Sequence, residues 1–471
     1  MVAAGRTVML PVALITLVLT YVLGRRLGFA PWTAALAMLL YGLSPLAVTM
    51  LRQIYLDSFA VVWILAAFVL ALSPRRHLWA YVSSGLAAGV AVLSKETIAV
   101  VLPALFVAVW QSTRGIAIRP WAIAGFVTGL SFVGVSYPLY AVLNGELLPG
   151  PDHVSLLGAI QYQLHSRSGS GSVFVAGSNA NGLVNDWLYY DTILPLGGLA
   201  AAVLAVVNRR LRAPALALLM LVLVALRPGG YLPAMYIVQT LPFLAILLAG
   251  AAQVVVAVVL VGDRRRARAW FRLVRMRSAP VMRAASVVRV ARLARLVAVL
   301  DRLASGRVVT VLDRWLFQHR RPARPGAAAP RGSSRVWSWV QLGLRVALVV
   351  GLACLVVAGV APRWYDGHRR SVTENANATY QAAASWLRAN LDPDAVVLTD
   401  DVLWLDIVLR AGLPREQVIW FYKLDLDPQV ARRYPGGWRD VDYVVSTPAL
   451  REDPTTPRSR TSRRPWPTPN P

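Results

Sequence analysis

The chain has 471 residues, 56% of them apolar, a mean hydropathy of +0.52 and only 15% charged residues, which excludes a soluble globular or a disordered protein. A net charge of +26 could suggest nucleic acid, but 19 arginines against three aspartates between Asp263 and Arg335 place +16 of it in one segment. The single cysteine, Cys354, excludes an intrachain disulfide and a cysteine-based metal site.

In chain order, apolar stretches that reach or approach the roughly 20 residues needed to cross a bilayer lie near 8–24, 29–49, 55–73, 78–94, 97–110, 121–143, 192–207, 213–226, 231–260 and 337–361. The expected fold is therefore mostly α, a polytopic helical membrane protein of about ten spans. Alternate loops carry nine arginines, at 25, 26, 75, 76, 114, 119, 209, 210 and 212, whereas the opposite set holds only Arg6, Arg52, Lys95, Arg167 and Arg227. The excess of positive charge on cytoplasmic loops puts the first set inside and the second outside. The same parity makes 78–110 a hairpin, because its two flanking loops are both basic, and sets Lys95 and Glu96 of "LSKET" on the outer face.

The expected organisation is a transmembrane core over 1–262 with an external loop at 144–191, an Arg-rich cytoplasmic insert at 263–336, a last span at 337–361, an external domain at 362–450 and a disordered tail at 451–471. In the insert, Arg289, Arg292, Arg295 and Arg302 recur at helical spacing opposite Val and Leu, as on a helix lying against anionic lipid; a solvated basic linker reads equally well. In the external domain, "TYQAAASWLRANL" and "DVLWLDIVLRAGL" read as helices, and "AVVLTD", "QVIWFY" and "VDYVVS" as strands, which implies a small α/β unit with a parallel sheet. Asp400, Asp401, Asp406, Asp425 and Asp427 could hold a divalent ion there, but helix capping accounts for Asp400 or Asp401 equally well, so no metal site is assigned.

The stretch "MLRQIYLDSF" holds Arg52 and Asp57 at a membrane boundary, where a charge facing lipid is costly. With Lys95 from the next outer turn, Arg52 makes a cradle for a phosphate, guanidinium bonding its oxygens bidentately and ammonium adding a point charge. Asp57 could orient Arg52 or accept a proton from an acceptor hydroxyl; the plain alternative is an Arg52–Asp57 ion pair that only marks the boundary. Glu96, Asp152, His153, Trp187 and Tyr190 are the further candidate contacts for a substrate. For Trp187, Tyr189 and Tyr190 of "NDWLYYD" an interfacial aromatic belt is the competing reading.

The series "AGRTVMLPVALITLVLTYVLGRRLG", "LLYGLSPLAVTMLRQIYLDSFAVVWILAAFVLAL" and "GLAAGVAVLSKETIAVVLP" resembles the polytopic glycosyltransferases of the C-type fold, in particular the protein O-mannosyltransferases and the bacterial aminoarabinose transferases. Arg52, Asp57, Ser58, Lys95 and Pro103 carry the resemblance over residues 4–260, and "LTDDVLWLDIVLRAG" with "WFYKLDLDP" resembles the external domain of actinobacterial members. The resemblance implies transfer of a sugar from a polyprenyl-phosphate donor to a protein, lipid or cell-wall glycan on the outer face of the plasma membrane, without metal or other cofactor. It also implies an earlier span and an acidic external loop supplying the catalytic base. No carboxylate stands before Arg6 to play that part, which leaves catalysis by this chain open; Asp57, for its ability to accept a proton from an acceptor hydroxyl, is the candidate catalytic residue. Two readings from other classes stay open: a flippase for the lipid-linked sugar, although no internal repeat is visible, and a non-catalytic homologue.

Overall fold

The computed structural model describes residues 2–150, 153, 155–163, 169–205, 208–227, 229–261, 333–374 and 378–446. The Arg-rich segment up to residue 332, Asp152 and the tail from residue 447 lie outside the described residues.

Helices account for most of the chain: α1 (Val2–Arg26), α2 (Pro31–Gly42), α3 (Pro45–Leu51), α4 (Leu56–Ala71), α5 (Leu78–Ser94), a 3-10 turn (Glu96–Val101), α6 (Leu102–Ser112), α7 (Arg119–Gly134), α8 (Ser136–Leu143), α9 (Leu156–Gln161), α10 (Asn179–Tyr190), α11 (Ile193–Ala205), α12 (Arg212–Ala225), α13 (Ile237–Val261), α14 (Ser333–Thr373) and α15 (Ala378–Asn390). Among the described residues, four helical stretches are long and apolar enough to cross a membrane, and five if the bent pair α2–α3 is one span. The others that coincide with expected spans are apolar helices of 10–17 residues; at 1.5 Å per residue none reaches the roughly 30 Å of a hydrocarbon core alone. The chain is thus a multi-pass helical membrane protein.

One expected span changes shape. The stretch 29–49 is not one helix but two, meeting at 63°. The break was encoded locally: Ser44 caps α3, its Oγ accepting from the Ala47 N–H, and Pro45 occupies the first helical turn. Within 78–110 the helix breaks where the sequence places the turn, at Lys95, whose backbone is extended (φ −157°, ψ 114°). Of the two helices on either side, α5 lies against α4 and α7, whereas α6 lies chiefly against α12 and more lightly against α4 and α7.

The tightest crossing in the bundle is between α5 and α7. Gly85 and Gly89 of α5 pack on Phe126, Leu130 and Val133 of α7, and Gly125 and Gly129 of α7 on Leu78, Val82 and Leu86 of α5; a Cβ on Gly85 or Gly129 would overlap the carbonyl oxygen of Phe126 or Val82 respectively. Small residues four apart on both helices let the backbones touch, which is how helices associate where lipid removes the hydrophobic drive. One apolar core then runs through α1–α7 and α10–α13, and the edge-to-face pair Phe68–Phe243 (5.7 Å) locks α4 to α13 within it.

The last span also departs from expectation. A proline removes one backbone donor and favours a helix stop, so the sequence places a domain boundary at Pro362. Instead α14 continues through Pro362 to Thr373. The added turns are held by tertiary contacts: Gly367 packs so closely on Pro45 and the Tyr190 carbonyl that a Cβ would not fit, and His368 Nε2 donates to the Leu43 carbonyl (2.9 Å).

Beyond α15 lie three parallel strands, β1 (Val397–Thr399), β2 (Val418–Trp420) and β3 (Tyr443–Val444), in the order β2-β1-β3. Alternation along β1 sends Val397 into one small cluster with Leu387, Leu403 and Ile407, and Leu398 into another with Ile419 and Phe421. Asp400 caps the helix Asp401–Asp406 through the Leu403 N–H, Asp427 caps Pro428–Arg433, and Asp406 pairs with Arg410 (3.0 Å). These carboxylates have helix-end work, and no group of three metal-ligating side chains occurs among the described residues.

Candidate functional site

The site forms where α4, the Glu96–Val101 turn and α13 meet. Asp57 lies in the first turn of α4, where a carboxylate complements the helix dipole, and is only 2% exposed. Its Oδ1 accepts from Gln239 Nε2 at 2.6 Å, and the same amide nitrogen donates to Thr97 Oγ1 at 2.6 Å. One glutamine thus ties the start of α4 to the turn that follows Lys95. The network is incomplete: Gln239 Oε1 and Ser58 Oγ are buried without a hydrogen-bond partner among the described residues.

The two candidate phosphate ligands stand on the backbone segments that this network joins. Lys95 is 21% exposed and its Nζ lies 3.3 Å from Oε1 of Glu96, which is 74% exposed. A pair this open to solvent is weak, so an incoming anion could compete for the ammonium. Arg52 closes α3 and is exposed, and among the described residues it forms no ion pair. The boundary pair Arg52–Asp57 is therefore not what the structure contains: Asp57 turns inward to Gln239 and leaves the arginine to solvent.

The other predicted residues separate from this centre. His153 folds back on its own loop, Nε2 meeting the Leu148 carbonyl at 3.2 Å. Trp187 is buried in the core with its indole donating to the Ala234 carbonyl (3.1 Å), so its ring is covered by protein rather than offered to a sugar or to the interface. Tyr190 lies half-buried on the wall of a cavity between the α10–α11 junction and α14. Beside it, Tyr189 donates its hydroxyl to Glu374 (2.6 Å), and that bond to a carboxylate raises the phenol above its ordinary value.

Sequence reasoning missed three residues. Gln239 was legible as a lone amide in the apolar run "YIVQTLPFLAILLAG", but nothing local says which carboxylate it meets. Asp191 and Trp364 form a second buried joint: Asp191 Oδ2 accepts from Ser44 Oγ (2.6 Å), and Oδ1 from the N–H groups of Ile193 and Leu194 and from the Trp364 indole (3.1 Å). Only the Asp191 cap of α11 has a sequence signature, an acidic residue just before an apolar helix.

The arginine, the buried aspartate and the lysine all fall within one matched segment. Residues 3–137 match the model of the dolichyl-phosphate-mannose-protein mannosyltransferase family. The match covers less than a third of the chain and falls on the spans and turns that carry the resemblance. Two solved structures are similar. ArnT from Cupriavidus metallidurans bound to undecaprenyl phosphate is 18% identical, over 93% of this chain and 75% of that one, with a TM-score of 0.46. The same protein in its apo state is 18% identical, over 92% and 74% of the two chains, with a TM-score of 0.45. No curated protein matches in sequence.

Proposed function

We propose that the chain is a membrane glycosyltransferase that takes a sugar from a polyprenyl-phosphate donor on the outer face, with Arg52 and Lys95 gripping the donor phosphate. The observation that carries this reading is the Asp57–Gln239–Thr97 network, which fixes the backbone after Arg52 to the backbone after Lys95. Arg52 follows α3 and Lys95 follows α5, each on a backbone segment tied to that network, and in this reading they supply a bidentate and a point-charge contact to one anion. The match of residues 3–137 to a family named for transfer from a lipid-phosphate sugar supports the donor class. The uneven loop charges support the outer orientation.

Asp57 takes a different part from the one its position suggests. A general base must reach the proton it removes, and this carboxylate is packed under Gln239. We read it as a positioning residue that holds the two cation-bearing turns together. Arg52→Ala and Lys95→Ala in the full chain, assayed for sugar transfer from a radiolabelled polyprenyl-phosphate donor, are each expected to reduce transfer at least 100-fold, as expected when an anion loses a charge-assisted partner worth about 3 kcal/mol. Unchanged transfer in both variants would remove the phosphate clamp.

A further inference from the structure

The cavity between the α10–α11 junction and α14 has a volume of about 190 Å³ and is walled by Tyr189, Tyr190, Arg363, Trp364, Asp366 and Arg370, with Asp191 beneath. It lies outside the segment that matches the family model. Its size is below the roughly 300–1,000 Å³ of sites for drug-sized ligands, so it has room for about one ring.

Its lining combines two chemistries. Tyr189 and Tyr190 stand edge to face with centroids 5.5 Å apart, offering aromatic faces beside Trp364. Around them are charged groups with donors and acceptors to spare. Arg370 stacks on Tyr189 (4.3 Å to the centroid) and uses one N–H on the Tyr189 carbonyl (2.8 Å); a guanidinium has five N–H groups. Neither Arg363 nor Arg370 has a carboxylate within ion-pair distance among the described residues, and Arg363 and Asp366 are exposed. Two cations, Arg363 and Arg370, and two carboxylates, Asp191 and Asp366, line the cavity, with Glu374 on the Tyr189 hydroxyl at its edge, so no excess of positive charge selects an anion.

A neutral ring with an apolar C–H face and a rim of hydroxyls satisfies both chemistries, its face on the aromatic groups and its vicinal hydroxyls on guanidinium and carboxylate. We infer that this cavity is a binding subsite for a neutral saccharide. Its place in the fold gives it a role. Asp191 joins the cavity to Ser44, the cap of α3, and Arg52 ends that helix eight residues on, about 12 Å away at 1.5 Å per residue. The subsite therefore holds a glycan acceptor about one short helix from the proposed donor phosphate. The acceptor role rests on the glycosyltransferase reading; occupancy by a saccharide does not.

The test is saturation-transfer difference NMR on the full chain purified in a zwitterionic detergent, with no donor lipid present. Methyl α-glucopyranoside and methyl α-mannopyranoside are the probes, with inorganic phosphate followed separately by phosphorus line width. Transfer to the ring protons of at least one glycoside is expected, falling at least five-fold in Arg363→Gln and in Asp366→Asn. Both side chains are exposed and lie outside the buried joints, so both variants keep the fold, checked by an unchanged melting temperature. Absence of transfer to either glycoside overturns the proposal, as does signal unchanged in both variants. Phosphate broadening that Arg363→Gln abolishes would make the cavity an anion site and overturns it too. Since no donor is involved, a negative result here leaves the Arg52 and Lys95 outcome standing, and the reverse holds.

Discussion

Asp57 and Asp191 are equally buried, each 2% exposed, yet they sit in opposite kinds of surroundings. Asp191 accepts from four donors on three segments, the Ser44 hydroxyl, two N–H groups of α11 and the Trp364 indole. Asp57 has one side-chain donor, and beside it the Gln239 oxygen and the Ser58 hydroxyl are left unmet among the described residues. A buried polar group normally has its partners, and each exception calls for a reason. The contrast fits the two roles given them above: Asp191 as a fully bonded structural joint, and Asp57 as part of the proposed donor site, with Lys95 among its charged neighbours.

The difference can be broken experimentally. Asp191→Ala strands four donors at once and is expected to destabilise the protein by roughly 3–5 kcal/mol, read as a large fall in melting temperature in detergent. Gln239→Leu should lower stability by about 1–3 kcal/mol, because it leaves one buried carboxylate without its donor, and should reduce transfer as the two cation-bearing turns drift apart. Asp57→Asn sharpens the comparison: its carbonyl can still accept from Gln239, so the melting temperature should barely move, and wild-type transfer should largely persist if Asp57 only positions. A loss of transfer as deep as that of Arg52→Ala would return Asp57 to the chemistry. Trp364→Phe removes a single donor from Asp191 and should cost about 1 kcal/mol. The smallest effect is at Tyr189. Because the bond to Glu374 raises its phenol, the contact is present below the ordinary tyrosine range and is lost only as pH rises through the raised value. The difference between wild type and Tyr189→Phe should stay flat across neutral pH and vanish in strong alkali.

Much of the fold was legible because membrane insertion imposes a local signal. Each of the ten apolar stretches falls on an apolar helix or helix pair, and the three strands of the C-terminal sheet fall within the stretches rich in β-branched and aromatic residues. The candidate site was legible only in part. Arg52, Asp57 and Lys95 stand out as charges between greasy runs, but an Arg52–Asp57 contact was the only partner for Asp57 that sequence proximity could suggest. The real partner of Asp57 is 182 positions away. Trp187 misled in the same way: its neighbours Tyr189 and Tyr190 suggested a belt, while its own indole is fastened to Ala234 in the core.

The sequence by itself determined where helices begin and break, since capping by Ser44, the turn at Lys95 and hydropathy all act over a few residues. Tertiary structure alone decided that α14 runs through Pro362 and that Asp57 meets Gln239 while Asp191 meets Trp364. The physical reason is range: a proline's preference is outweighed by contacts from α3 and α10, and hydrogen bonds between distant segments exist only once the helices have packed.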